Sequence, residues 1–97
     1  MPDPVLEWRQ AAREDLLAIV DYISDDNPAA AEALKDEIEA KVLRLLDHPK
    51  LYRSGRVPGT REMVVHRNYV VIYKQDKTTI SILRVLHGAQ QWPPDGD

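Results

Sequence analysis

Apolar positions repeat with two different periods along this chain. Val5-Leu6-Glu7-Trp8 is a short run after two prolines and is predicted as a first strand. From Ala12 the spacing changes: Ala12, Leu16, Ile19, Val20 and Ile23 fall on one stripe of a helix, while Arg9, Arg13, Glu14 and Asp21 take the other side. This helix is predicted to stop near Ser24-Asp25-Asp26-Asn27. A second begins at once, with Asn27 as N-cap and Pro28 in the first helical position, where its missing N–H costs nothing. Ala31, Leu34, Ile38, Val42 and Leu45 form its apolar stripe, Glu37 and Lys41 pair on its wet face, and His48-Pro49 closes it. The two helices are expected to form a tight hairpin.

Residues 49–60 read as a loop rich in Pro, Gly and Arg, which Leu51 and Tyr52 would pin to the core. After it the period falls to two. Arg61–Val65 is a predicted strand, His66-Arg67-Asn68 a turn, and Tyr69–Tyr73 a second strand. Six polar residues, Lys74 to Thr79, lead into a third, Ile80–Leu86. The order is β-α-α-β-β-β, an α+β fold with a helical hairpin on a twisted antiparallel sheet. Alternation sets Tyr69, Val71 and Tyr73 against Val70 and Ile72, and Leu83 and Val85 against Ile80, Ile82 and Leu86. Both faces of the last two strands are therefore apolar. The face away from the helices is expected to be covered by a loop or kept for a partner.

At 97 residues the chain fits one domain, with 93–97 as a polar, frayed tail. It has no cysteine, and His48, His66 and His87 lack metal-ligand spacing, so neither a metal nor another cofactor is expected. No apolar run approaches the roughly 20 residues that span a bilayer, and the start lacks a basic, apolar signal, so the expected location is the cytoplasm. The charge is split. Residues 1–47 carry five Lys/Arg against twelve Asp/Glu, and residues 48–97 carry eight against four. That asymmetry points to an acidic or polyanionic partner for the second half, unless its loops merely use Lys and Arg for solvation.

The element order, Arg61–Val65 followed by Asn68–Tyr73, and the ending Ile82-Leu83-Arg84-Val85-Leu86-His87-Gly88-Ala89-Gln90-Gln91-Trp92 resemble the RelE/ParE family of bacterial toxins, over roughly Leu6 to Trp92. The resemblance implies a toxin of a type II toxin–antitoxin module, wrapped and neutralised by a cognate antitoxin. RelE-like members cut mRNA on the ribosome; ParE-like members poison DNA gyrase. The nucleolytic branch carries lysines on the first strand of the meander, an arginine just after the tyrosine of the middle strand, and an Arg or a His-Tyr pair near the end. Here those places hold Met63-Val64-Val65, Val70 and His87-Gly88-Ala89-Gln90-Gln91-Trp92. An aliphatic side chain cannot steady a phosphorane, and losing one such donor typically costs about 10²–10³ in rate. The ParE-like branch is therefore expected, with DNA gyrase as target. The ribosome as target of an mRNA endonuclease is the alternative, and a non-toxic antitoxin-binding remnant a further one.

The candidate target- or antitoxin-binding residues are Arg61, Arg67, Arg84, His87, Gln90 and Trp92. Arg61, Arg67, Arg84 and His87 would form a relocated catalytic set if the chain were a nuclease. Each has a plainer reading. Arg84 would pair with Asp15, Glu37 or Glu39; His87 would bond backbone at a strand end; Arg61 and Arg67 would be solvated turn residues. Tyr69 and Tyr73 would be core, and Trp92 a lid over the helices. Arg53 and Arg56 sit in a glycine-bearing loop that could touch nucleic acid.

Overall fold

The computed structural model describes residues 4–66 and 68–87. Strand β1 (Val5–Trp8) leads into α1 (Gln10–Ser24) and α2 (Pro28–Leu43), which ends in a 3₁₀ turn at Arg44–Leu46. Then come β2 (Arg53–Ser54), β3 (Arg61–His66), β4 (Tyr69–Gln75) and β5 (Thr79–His87). The fold is α+β, with two helices packed on a five-stranded sheet of order β1-β5-β4-β3-β2. Its strands pair antiparallel except β1, which runs parallel to β5, Val5 beside Thr79 and Trp8 beside Ile82.

Local chemistry accounts for the boundaries. The Asn27 side chain accepts the Ala30 N–H at 3.1 Å, capping α2 as its sequence predicts. The turn between β4 and β5 is narrower than the polar stretch suggested. Asp76 Oδ1 accepts the N–H groups of Thr78 (2.9 Å) and Thr79 (2.8 Å), so both strands extend to the edge of a three-residue turn. These two bonds hold the Asp76 carboxyl below its usual range.

The predicted loop over 49–60 contains β2, whose two residues pair with Arg61 and Glu62. Val57 to Thr60 close a turn through Thr60 N–H to Val57 O at 3.1 Å, with Gly59 at φ +86° after Pro58. Gly55 N–H bonds Thr60 O at 2.7 Å, so the two backbones run close. A Cβ on Gly55 would lie 2.2 Å from Thr60 Oγ1, in a residue that is buried and bonded to Val57 O. Gly55→Ala is therefore expected to cost about 1–2 kcal/mol in chemical denaturation by overpacking, and Thr60→Ala in the same chain should restore part of it.

The core on the helix side joins Ala12, Leu16, Leu34, Ile38, Val42 and Leu45 to Met63, Val65, Val71, Tyr73, Ile80, Ile82 and Val85. A smaller cluster of Val70, Ile72 and Leu86, with Leu83 against it, occupies the opposite face. These three are at most 7 % exposed, so that face is covered at their position, while Val64 beside Val70 stays open. The strict alternation expected for the last strand does not hold. Ile72 is opposite Arg84 and Tyr73 opposite Ile82, which leaves Leu83 as a one-residue bulge. The bulge carries Val85 to the helix side and Leu86 to the other.

Tyr73 is fully buried and donates its hydroxyl to Pro49 O at 2.6 Å, with Tyr52 edge-on at 6.5 Å. Burial pushes its phenol up to about 12, outweighing the nearby Arg61 guanidinium, which pulls it down. Between about 10 and about 12 the unfolded chain loses this proton and the folded chain keeps it. The contribution is thus whole below that window and lost as pH rises through it. Urea midpoints should fall across the window, and Tyr73→Phe should remove that slope at the cost of one hydrogen bond, about 1 kcal/mol.

Candidate functional site

A second bulge lies in β3. Val64 faces Val70 and His66 faces Tyr69, leaving Val65 as the extra residue. Simple alternation would put His66 beside the exposed Val64. The bulge instead turns it toward α2, where its Nδ1 lies 3.3 Å from Glu37 Oε1. The Leu83 bulge has the same effect on His87, which becomes the cross-strand partner of Tyr69. A row of rings follows across three strands: His66 tilted against Tyr69 with centroids 6.5 Å apart, and His87 edge-on to Tyr69 at 5.6 Å.

Glu37 organises one flank of this row. It accepts Lys41 Nζ at 2.9 Å and meets His66, and these bonds, Lys41 first, hold its carboxyl below the usual range. A carboxylate on Nδ1 favours the proton there and leaves Nε2 on the far side of the ring. Lys41 Nζ also donates to Val65 O at 2.6 Å, which ties α2 to the bulge. Hollows of about 350 and 390 Å³ adjoin the row. Leu34 and Ile23 line the first; Ile19 and the exposed Tyr22 line the second; Tyr69 belongs to both. Two imidazoles beside a phenol offer hydrogen-bond donors and acceptors and stacking surfaces for a planar group.

The predicted site residues do not converge here, His87 excepted. Arg84 forks onto Asp15 of α1, Nε to Oδ2 at 2.6 Å and Nη2 to Oδ1 at 2.9 Å, and this bond raises its already high pKa. Of the three acidic partners foreseen for Arg84, Asp15 is the one that meets it. Asp15 Oδ2 also accepts the Val85 N–H at 2.9 Å, beyond the last β5 residue paired with β1. Arg61 stands at the other end of β3 from His66, with Nη1 on Tyr52 O at 2.7 Å. Arg67, Gln90 and Trp92 lie outside the described residues.

Arg53 and Arg56 are not a loose basic loop. Both meet Glu62, whose side chain is 2 % exposed: Arg53 Nη2 at 3.1 Å, Arg56 Nε at 3.3 Å and the Arg56 N–H at 2.9 Å. Glu37, His66 and Tyr69 are the site members that sequence reading missed as a group. Period-two counting dispersed them, and a bulge leaves no fixed mark in composition. Among the described residues no cluster of His, Asp or Glu is placed to hold a metal, and no helix is long and apolar enough to cross a membrane. A further apolar groove of about 300 Å³ runs between β1 and the helices, lined by Trp8, Leu16, Leu17 and Val20 together with Arg13 and the Lys35–Glu39 pair.

Residues 6–92 match the family described as the ParE toxin of the type II toxin–antitoxin system parDE. The chain belongs to the ParE toxin family. It is similar to the Y4kP protein of Sinorhizobium fredii, 35% identical over 89 residues that cover 91% of this chain and 92% of the relative. It is 32% identical over 90 residues to toxin RelE2 of Caulobacter vibrioides, covering 93% and 99%. In three dimensions it is similar to a chain of the chromosomal ParDE system of P. aeruginosa, with a TM-score of 0.80, 26% identity, and 88% and 96% of the two chains covered. This ParE-family chain is thus a type II toxin of the wider ParE/RelE group.

Proposed function

We propose that the chain arrests growth by binding DNA gyrase rather than by chemistry, and that a cognate antitoxin neutralises it. Val70 is the observation that carries this reading. Where nucleolytic relatives are expected to place an arginine, this chain has a valine, 7 % exposed and packed with Ile72 and Leu86. No charge can be presented from that slot without breaking the cluster. The antitoxin reading draws on the similarity to a ParDE system and on the groove beside Trp8, where the half-exposed Leu17 awaits an apolar segment.

One observation favours a second reading. The His66–Tyr69–His87 row supplies the acid–base groups that 2′-OH attack needs, although His87 has no tyrosine near it in sequence. Two assays on the same preparation decide between them. Inhibited supercoiling or trapped cleaved DNA, with intact mRNA on programmed ribosomes, is expected. Codon-specific mRNA cleavage with unaffected gyrase would overturn the binding reading. No arrest on expression without antitoxin would leave only an antitoxin-binding remnant.

A further inference from the structure

Arg61 differs from the other structured arginines of the second half. Arg53 and Arg56 share Glu62, and Arg84 is forked onto Asp15. Arg61 is half-buried, makes its hydrogen bond to the Tyr52 carbonyl, and among the described residues meets no carboxylate. A carbonyl oxygen occupies one of five guanidinium N–H groups and neutralises none of the charge. The residue lines a polar cup of about 420 Å³ at the end of the sheet, with Ser54, Gly55, Thr60 and Gln75 among its walls. The cup is shaped by the Val57–Thr60 turn and by the close approach of Gly55 to Thr60. Its neighbour Glu62 is already committed to Arg53 and Arg56.

We infer that this cup receives an acidic side chain of the protein that neutralises the toxin. One planar fork matches one carboxylate, whereas a phosphate dianion calls for more positive charge than the one cation that lines this cup among the described residues. The inference rests on the antitoxin reading only for the owner of the carboxylate. It is independent of gyrase, so the loss of supercoiling inhibition and the loss of anion binding are separate results.

The test is a ¹⁵N-resolved NMR titration of the full chain at constant ionic strength. The probes are N-acetyl-glutamate α-amide for a side-chain carboxylate, N-acetylglycine for a chain terminus, and inorganic phosphate. The glutamyl probe is expected to shift the Gly55, Gly59 and Thr60 amides, with a dissociation constant on the order of tens of millimolar, and to bind more tightly than phosphate. Arg61→Gln should abolish the response. Because that variant also weakens the bond to Tyr52 O, Ser54→Asp provides a second arm. Ser54 is the cross-strand partner of Arg61, so its new carboxylate would fill the cup from within and silence the probe while the bond to Tyr52 stays. No shift in the wild type, tighter binding of phosphate or of N-acetylglycine, or an unchanged response in Ser54→Asp would each overturn the assignment.

Discussion

Asp15→Ala is expected to lower the stability of this fold by about 3 kcal/mol, the cost of removing the acceptor of two charge-assisted hydrogen bonds in a part-buried ion pair. The side chains of Arg84 and Asp15 are 29% and 16% exposed, so water screens the pair only in part. The same carboxylate serves the Val85 N–H, which loses its partner as well. For a chain of this size that loss corresponds to a fall in Tm of about 15 °C. Asp15→Asn keeps an acceptor for Val85 and should lose roughly half as much, while Arg84→Ala should fall between the two. Thermal and urea unfolding of the three variants checks the order. A loss below about 1 kcal/mol for Asp15→Ala would show the pair to be a surface ornament.

The second large effect is asymmetric. Removing both Arg53 and Arg56 side chains leaves the Glu62 carboxylate buried with, among the described residues, only the backbone N–H of position 56, and should cost about 2–3 kcal/mol. Glu62→Gln should cost about 1 kcal/mol, because the arginines it releases are 60% and 45% exposed and become hydrated. The comparison is made by urea midpoints of Glu62→Gln against the Arg53→Ala, Arg56→Ala double variant. Equal losses would mean that the clamp, not the buried charge, sets the energy.

Much of the architecture was legible in residue periodicity. The helix stripes, the Asn27-Pro28 start and the three-strand meander all appear where spacing and turn chemistry put them. The short β2 was not, because two residues carry no period. The parallel seat of β1 was not either, since nothing in Val5–Trp8 encodes its neighbour. The site was legible residue by residue but not as a group. His87 stood out at a strand end, yet the residues beside it are set by extra residues at Val65 and Leu83. Each shifts every later side chain of its strand to the other face. A histidine followed two or three residues later by a tyrosine across a tight turn, as in His66 and Tyr69, is the one local hint that was available.

The seat of β1 also has a bearing on how the toxin is born. Its partner on the sheet is Thr79–Ile82, and Asp15 waits for Arg84, so the first strand has no sheet to join, and the first helix can dock on α2 alone, until some seventy residues more have been made. Closing so wide a loop comes late and slowly. A chain that ends before β5 therefore lacks the strand on which both β1 and Asp15 depend, and is expected not to complete this fold.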